Sequence, residues 1–453
     1  MANTDNSLAR HVVVIVGGAT AGSEVAHILA ERGALVAVIE QNPRPYGKIE
    51  DGLPRWHVKQ RKDEYEEINS RLSHPNIEFV PLTRLGEDLK FDQLAHHWGL
   101  SALVLANGAW RDRPFPVEGA DQFIDRGLIY QNPLIYWFNH YLEKDYQGHR
   151  YELVPGGIVV GGGLASIDVV KVLQIETTLH ALARRNIKED MVRLEREGIE
   201  PVLKEHGLTW AQLGVGSCKL FYRRRVLDMP LSDIPADANP KRAEALRQAR
   251  AKILDKAQRK FLFEFQELRA PTGFIEHEGR LVGLRLSRTE VVDGQARIVA
   301  GSEEEVRGPF VISSIGSIPE RIHDIPQQGE VYRYADVKAG LLIAGETAVF
   351  AAGNVLTGKG NIKDSLDSGT EIGTRVAESY LGLGEEQLPL GELERARAHQ
   401  QGENVAAAIA AKPALAAEAV SRFHTRIKEL QRAHGYEGDY RTWIAKVTPP
   451  DLQ

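Results

Sequence analysis

The sequence predicts an α/β protein built from two Rossmann-like dinucleotide-binding units, the second inserted in the first, with a C-terminal helical tail. Three observations carry this. Short apolar runs recur, each followed by glycines or small residues: Val12–Val16 before GGATAG, 158–160 before GGGLAS and 348–352 before GNVLTGKGN. A buried parallel strand that feeds a helix through a tight turn reads this way. Two further apolar runs, SALVLANGA and FVISSIGSIP, follow the first two glycine turns at similar spacing, so one architecture occurs twice. The third run, at 348, marks the return of the chain to the first copy. The expected boundaries are 1–152 for the first part of the outer unit, 153–325 for the inserted unit, 326–383 for the return, and 384–453 for the tail.

Each element follows from its pattern. Residues 23–32 carry Val25, Ala26, Ile28 and Leu29 on one side of a helix, and 167–182 and 364–381 follow the other two turns. Residues 186–213 form a charged helical insertion that must loop out if the next strand is to be 218–222. Pro240–Phe261 reads as a helix rich in Ala, Arg and Lys. Residues 263–299 read as antiparallel strands with turns at Glu278-Gly279 and Asp293-Gly294. From 384 the composition shifts to Ala, Glu and Gln, and the chain ends in a loose TPPDLQ.

Composition narrows the function. The net charge of −6 argues against a nucleic-acid binder, which needs a basic excess. The single Cys218 excludes an internal disulfide, a Cys-x-x-Cys redox pair and a four-cysteine iron–sulfur site. No apolar run reaches the length of a membrane span. The expectation is a soluble, cytoplasmic protein.

The first turn runs Gly17, Gly18, Ala19, Thr20, Ala21, Gly22, then a helix, then a strand ending in Glu40. The first glycine makes the turn, the middle position lets backbone approach a pyrophosphate, and the last lets helix and strand pack closely. Helix N–H groups then face the phosphates, and Glu40 can accept hydrogen bonds from a ribose diol. Ala19 departs from the pattern, because glycine is usual there.

The second turn has Gly161, Gly163, Leu164, Ala165 and Ser166. At the end of its next strand, where the first unit has Glu40, stand Arg223, Arg224 and Arg225. A carboxylate there would repel a ribose 2′-phosphate, whereas guanidinium groups bind one through charge-assisted bonds. Each such bond is worth about 1.5–3 kcal/mol. The arginines therefore predict NADP. The plain alternative is a solvated basic cluster.

Taken together, RPYGKIEDGL (44–53), GGGLASIDVVKVL (161–173), FYRRRVLDMP (221–230) and VFAAGNVLTGKGNIKDSLDSG (349–369) resemble the adrenodoxin reductase and glutamate synthase small-subunit branch of the two-dinucleotide-binding-domain flavoproteins. The resemblance covers about residues 10 to 381. It implies FAD in the outer unit and NADPH in the inserted one. It places Gly17, Gly18, Ala19, Gly22, Glu40, Gly47, Gly108, Gly353 and Asn354 on FAD, with Asn354 where Asp is usual. It starts the last helix under the flavin ring with Gly360, Asn361 and Ile362. It adds Asp168 to the NADP turn and sets His57 near the flavin, where a merely packed histidine is an equal reading.

The implied activity is hydride transfer from NADPH to flavin N5, chemistry that belongs to the cofactors and requires no protein acid or base. With no dithiol and no iron–sulfur ligands, electrons must leave to an external carrier such as a ferredoxin. The alternatives are an electron-input subunit of a larger complex, and a nucleotide-binding sensor that turns nothing over.

Overall fold

The protein is described here by a computed structural model covering residues 10–235, 237–383 and 412–449. The chain divides into two compact units. Unit 1 comprises Met1–Leu53, His57–Arg111 and Ile318–Gln453, and unit 2 comprises Pro54–Trp56 and Asp112–Ser317. Apart from the short Pro54–Trp56 excursion, the crossings thus fall at 111/112 and 317/318, not at 152 and 325. The reason is Leu128–Tyr130, a short strand that pairs in parallel with Val311–Ser314 inside the sheet of unit 2.

Unit 1 is built on a six-stranded sheet in the order Leu341–Ile343, Ala348–Ala351, Ala102–Leu105, Val12–Val16, Leu35–Ile39, Ile77–Val80. All pairings are parallel except the first. The run of apolar residues at Val12–Val16 is explained by the two covered faces of the sheet. Val13 and Ile15 enter one core, with Val25, Leu29 and Ile68. Val12, Val14 and Val16 enter the other, with Leu94, Leu103 and Phe423. The helix Thr20–Glu31 packs on the closing helix Ile362–Thr374. A side chain at Gly369 would come 2.8 Å from the Ala21 carbonyl oxygen, so glycine there sets the close approach. After Thr374 the closing helix widens into the π-helical turn Arg375–Tyr380.

The C-terminal segment differs from the expected appended tail. Its expected start at 384 lies outside the described residues. Helices Ala417–Ala433 and Tyr440–Val447 are integral to unit 1. Val420, Phe423 and Ile427 complete one core and Tyr440, Trp443 and Ile444 the other. Phe79 meets Tyr440 edge-on at 5.1 Å. Gln431 donates to the Phe79 carbonyl, and the Trp443 indole donates to the Pro43 carbonyl at 2.8 Å.

Unit 2 has a five-stranded, fully parallel sheet in the order Leu128–Tyr130, Val311–Ser314, Ile158–Gly161, Lys219–Tyr222, Glu264–Glu267. Glu264–Glu267 was expected to be antiparallel. It is parallel because Pro240–Phe261 is the crossover helix that returns the chain to the same sheet edge. The antiparallel region is Arg269–His277, Arg280–Val292 and Gln295–Ile298, with Glu304–Arg307 also on the long middle strand. Its turns fall at Glu278-Gly279 and Asp293-Gly294, all four with positive φ, as tight hairpins require. The insertion forms three short helices, Met191–Glu197, Ile199–Glu205 and Trp210–Leu213. It buries Leu194, Ile199, Val202, Leu203 and Leu213 in one core with Val169, Val170 and Leu173 of the helix Leu164–Ala183. The next strand still lies beside Ile158–Gly161, with Val160 opposite Phe221.

Trp443→Ala is expected to lower unfolding free energy by about 3–5 kcal/mol, as loss of a buried aromatic does. Trp443→Phe, which keeps most of the apolar contact, should cost far less. Urea titration of the full chain checks both, and equal losses would mean that the indole N–H, not its packing, holds the segment.

Candidate functional site

The first glycine turn is fixed by sterics and by one carboxylate. Gly17 has φ +97°, a left-handed conformation. A Cβ on Gly22 would fall 1.8 Å from the Gly17 carbonyl oxygen. Glu40 is buried, and its Oε2 and Oε1 accept hydrogen bonds from the main-chain N–H groups of Gly18 and Asn42 at 2.9 and 3.0 Å. Burial outweighs these donors and pushes its pKa up to about 7. The departure at Ala19 has a structural counterpart. Gly47, at φ +50°, faces it so closely that a Cβ on residue 47 would come within 2.9 Å of the Ala19 methyl. The methyl at 19 therefore fits because residue 47 has no side chain.

Among the other expected residues of unit 1, Gly353 packs on this turn. Gly353 faces Ala21, where a Cβ would come within 2.7 Å, and its N–H donates to the buried Ser368 hydroxyl at 2.9 Å. Asn354 opens the one-turn helix Asn354–Thr357. A Cβ on Gly360 would lie 3.5 Å from the Asn354 amide nitrogen. Asn361 is the N-cap of Ile362–Thr374, accepting from the Asp364 N–H at 2.7 Å. Gly108, at φ +69°, lies against Trp110, with Lys48 over the Trp110 ring at 5.7 Å. His57 sits half-buried at the head of Val58–Leu72, its carbonyl accepting from the Arg61 N–H.

Sequence reasoning missed the ion pair that shapes the 41–53 loop. Arg44 and Glu50 are both buried and meet at 2.6 Å. The Arg44 guanidinium also reaches the Val447 carbonyl at 3.5 Å, and Arg61 holds the Glu50 carbonyl at 3.1 Å. Two opposite charges six residues apart in a loop carry no periodic signal. Ser368, a single small polar residue in a helix, gives no signal that it accepts from the Gly353 N–H fifteen residues earlier.

In unit 2 the glycine turn is packed from both sides. A Cβ on Gly161 would lie 2.3 Å from the Ser314 carbonyl oxygen and 2.7 Å from Ser166 Cβ, and one on Gly162 would lie 2.1 Å from the Tyr222 ring. Gly163 faces open space. It precedes Leu164–Ala183 with no side-chain cap and no acidic residue in the first turn. Leu164 and Ala165 are exposed, so uncapped helix N–H groups face outward, the arrangement that receives phosphate. Asp168 is paired with Lys171 at 3.1 Å, and Lys171 also faces Glu195 and lies over the Phe261 and Trp56 rings.

The three arginines follow the strand whose Phe221 pairs with Val160, so they stand at the same carboxyl edge as the turn. They are not equivalent. Arg225 is bound by two hydrogen bonds to Asp228, at 2.8 and 3.1 Å, and this holds the Asp228 carboxyl below its ordinary range. Arg223 is exposed, and Arg224 has a buried Nε with no hydrogen-bond partner among the described residues. Their main chain is braced: Thr289 donates to the Arg223 carbonyl, the Leu268 N–H donates to the Arg224 carbonyl, and Glu267 accepts from the Val226 N–H. Cys218 is buried, its thiol pKa pushed up by desolvation. Among the described residues, no group of three metal-ligating side chains is present and no helix is long and apolar enough to cross a membrane.

Comparison with known proteins supports this architecture. Across 93% of the chain and 91% of theirs, solved structures of FprA from Mycobacterium tuberculosis superpose with TM-scores of 0.66 and 0.64 at 16% identity, one of them in complex with NADPH. The chain has the FprA fold. No protein-family model matches it. Curated relatives bear the names expected from the resemblance. A probable ferredoxin/ferredoxin–NADP reductase of Mycobacterium leprae is 30% identical over 39% of this chain. A probable mitochondrial NADPH:adrenodoxin oxidoreductase of Dictyostelium discoideum is 24% identical over 31%. A glutamate synthase [NADPH] small chain of M. tuberculosis is 29% identical over 26%. The matches span only 30%, 26% and 24% of those relatives' own lengths.

Arg44→Met alone should destabilise the chain by about 3–5 kcal/mol, since it takes from the buried Glu50 carboxylate the guanidinium it meets at 2.6 Å, and adding Glu50→Leu should recover most of the loss. Denaturant unfolding of the single and double variants checks this. A second expectation concerns pH. The folded Glu40 carboxyl titrates above its ordinary 4.5, near 7, so between these values the native state keeps a proton that the unfolded chain has released. The stability from this group is full below about 4.5 and is lost as pH rises to about 7. Glu40→Gln should flatten that slope in nucleotide-free protein, and an unchanged slope would assign it to other groups.

Proposed function

We propose that the chain is an FAD-dependent oxidoreductase that takes hydride from NADPH and passes electrons singly to an external carrier such as a ferredoxin. The observation that carries this reading is the opposite chemistry at the two strand ends beside the glycine turns. Unit 1 presents Glu40, a carboxylate suited to a free ribose diol. Unit 2 presents Arg223 and Arg224, suited to a ribose 2′-phosphate.

Both nucleotides fit the residues present. In unit 1, Gly17, Gly18, Ala19 and Gly22 leave backbone bare at a helix N-terminus, and Gly47 and Gly353 border the same turn, Gly353 directly before Asn354. Glu40 keeps lone pairs for ribose hydroxyls beyond the two N–H groups it already accepts. In unit 2, the N–H groups of Leu164 and Ala165 would hold the pyrophosphate, and the Arg224 Nε supplies a buried donor that lacks an acceptor. When bound, FAD supplies hydride acceptance and one-electron release. The protein residues bind and orient, and none is assigned as an acid or base. His57 enters only as a candidate neighbour of the flavin. The exit to an external carrier is supported by the sequence holding one cysteine, itself buried.

The similarity to a glutamate synthase small chain favours one second reading, an electron-input subunit. Purified protein should be yellow, and anaerobic NADPH should bleach it. Reduction of a ferredoxin supports the first reading. Reduction of artificial acceptors but of no ferredoxin supports the second. Flavin that stays oxidised defeats both.

Nucleotide preference gives a sharper check. Arg223→Ala with Arg224→Ala should raise KM for NADPH by roughly 100-fold or more relative to NADH, from two charge-assisted bonds. Arg225→Ala should change the ratio little, because its guanidinium is held by Asp228. Equal shifts for both nucleotides in the double variant would rule out a 2′-phosphate role.

A further inference from the structure

Resting on the reading that unit 2 binds NADPH, we propose that Gln131, held by Ser314, is a positioning residue for the nicotinamide–ribose half of the dinucleotide. The sheet order locates the crevice. From Ile158–Gly161 the chain moves outward to Lys219–Tyr222 and Glu264–Glu267, then crosses to the opposite flank at Val311–Ser314. Such a reversal opens a ligand crevice beyond the strand carboxyl ends. The arginines lie on one flank of Ile158–Gly161, and they fix the 2′-phosphate end there. A dinucleotide whose pyrophosphate rests on the N–H groups of Leu164 and Ala165 must run its other half toward Val311–Ser314 and Leu128–Tyr130.

The groups at that edge suit an uncharged end. Ser314 pairs with Gly161, and its hydroxyl donates to Gln131 Oε1. Gln131 follows Leu128–Tyr130 directly and begins the helix Gln131–His140. Its Nε2 donates no hydrogen bond among the described residues and stays half-buried at the edge. The adjacent Asn132 is engaged: its side chain donates to Ser317 Oγ at 3.1 Å, and its main-chain N–H points to both oxygens of Asp112 at 3.3 Å. Both oxygens of Asp112 lie close to the Asn132 N–H, and a carboxylate there disfavours a phosphate. A carboxamide and ribose hydroxyls are favoured, and Gln131 Nε2 is the free donor for them.

The test compares two ligands on the full, flavin-loaded chain by calorimetry. NADP+ carries the nicotinamide half, and 2′,5′-ADP lacks it. Gln131→Leu, and Gln131→Glu, which keeps an acceptor for Ser314 but loses the donor, should each weaken NADP+ roughly three- to tenfold. Both should leave 2′,5′-ADP unchanged, which also shows that the turn is intact. The rate of flavin bleaching by saturating NADPH should fall in both variants. Equal weakening of the two ligands would reduce Gln131 to a structural role, and undiminished NADP+ binding would overturn the proposal outright. If the unaltered chain fails to bind 2′,5′-ADP, the NADPH reading itself falls, and this inference with it.

Discussion

Both oxygens of one buried carboxylate are held by main-chain N–H groups, and the site in unit 1 is organised around that contact. Glu40 ties Gly18, in the turn after the first strand, to Asn42, in the loop after the second. The contact requires the turn to come close, which Gly17 and Gly22 allow. It also sets the start of the 41–53 loop. That loop is then fixed by the Arg44–Glu50 pair and by the Trp443 bond to Pro43. Removing a carboxyl from water is unfavourable, and the backbone donors offset only part of the cost, so its protonation is sensitive to whatever fills the turn.

Unit 2 repeats the geometry with the charge reversed. The turn is again closed by packing, with Ser166 and Ser314 against Gly161 and Tyr222 against Gly162. What differs is the strand end. The arginines there are sorted by their neighbours, because Asp228 engages Arg225, and among the described residues the other two guanidinium groups have no such partner. The same sheet edge thus carries the arginines on one flank and the Ser314–Gln131 hydrogen bond on the other, an asymmetry that matches the two ends of a phosphorylated dinucleotide.

The C-terminal helices show how much of the site rests on residues distant in sequence. Tyr440 donates to Asn69, which also accepts from Tyr46, and Lys428 pairs with Glu78 beside the Gln431 contact. These bonds brace the outer strand and the loop that follow Glu40. A segment that reads as an appendage is therefore part of the scaffold that presents the first glycine turn.

The sequence by itself determined the repeated strand–turn–helix units, the strand ends carrying Glu40 and the arginines, and the helix Pro240–Phe261. Local chemistry dictates these: continuous apolar runs, glycines where backbone must crowd, and charges at fixed offsets from them. Tertiary structure alone decided where the units divide, that Glu264–Glu267 is parallel and that Gly47 accommodates Ala19. Each of these depends on a partner far along the chain or on the pairing of sheet edges. Periodicity records which face of a segment is buried, but not what buries it.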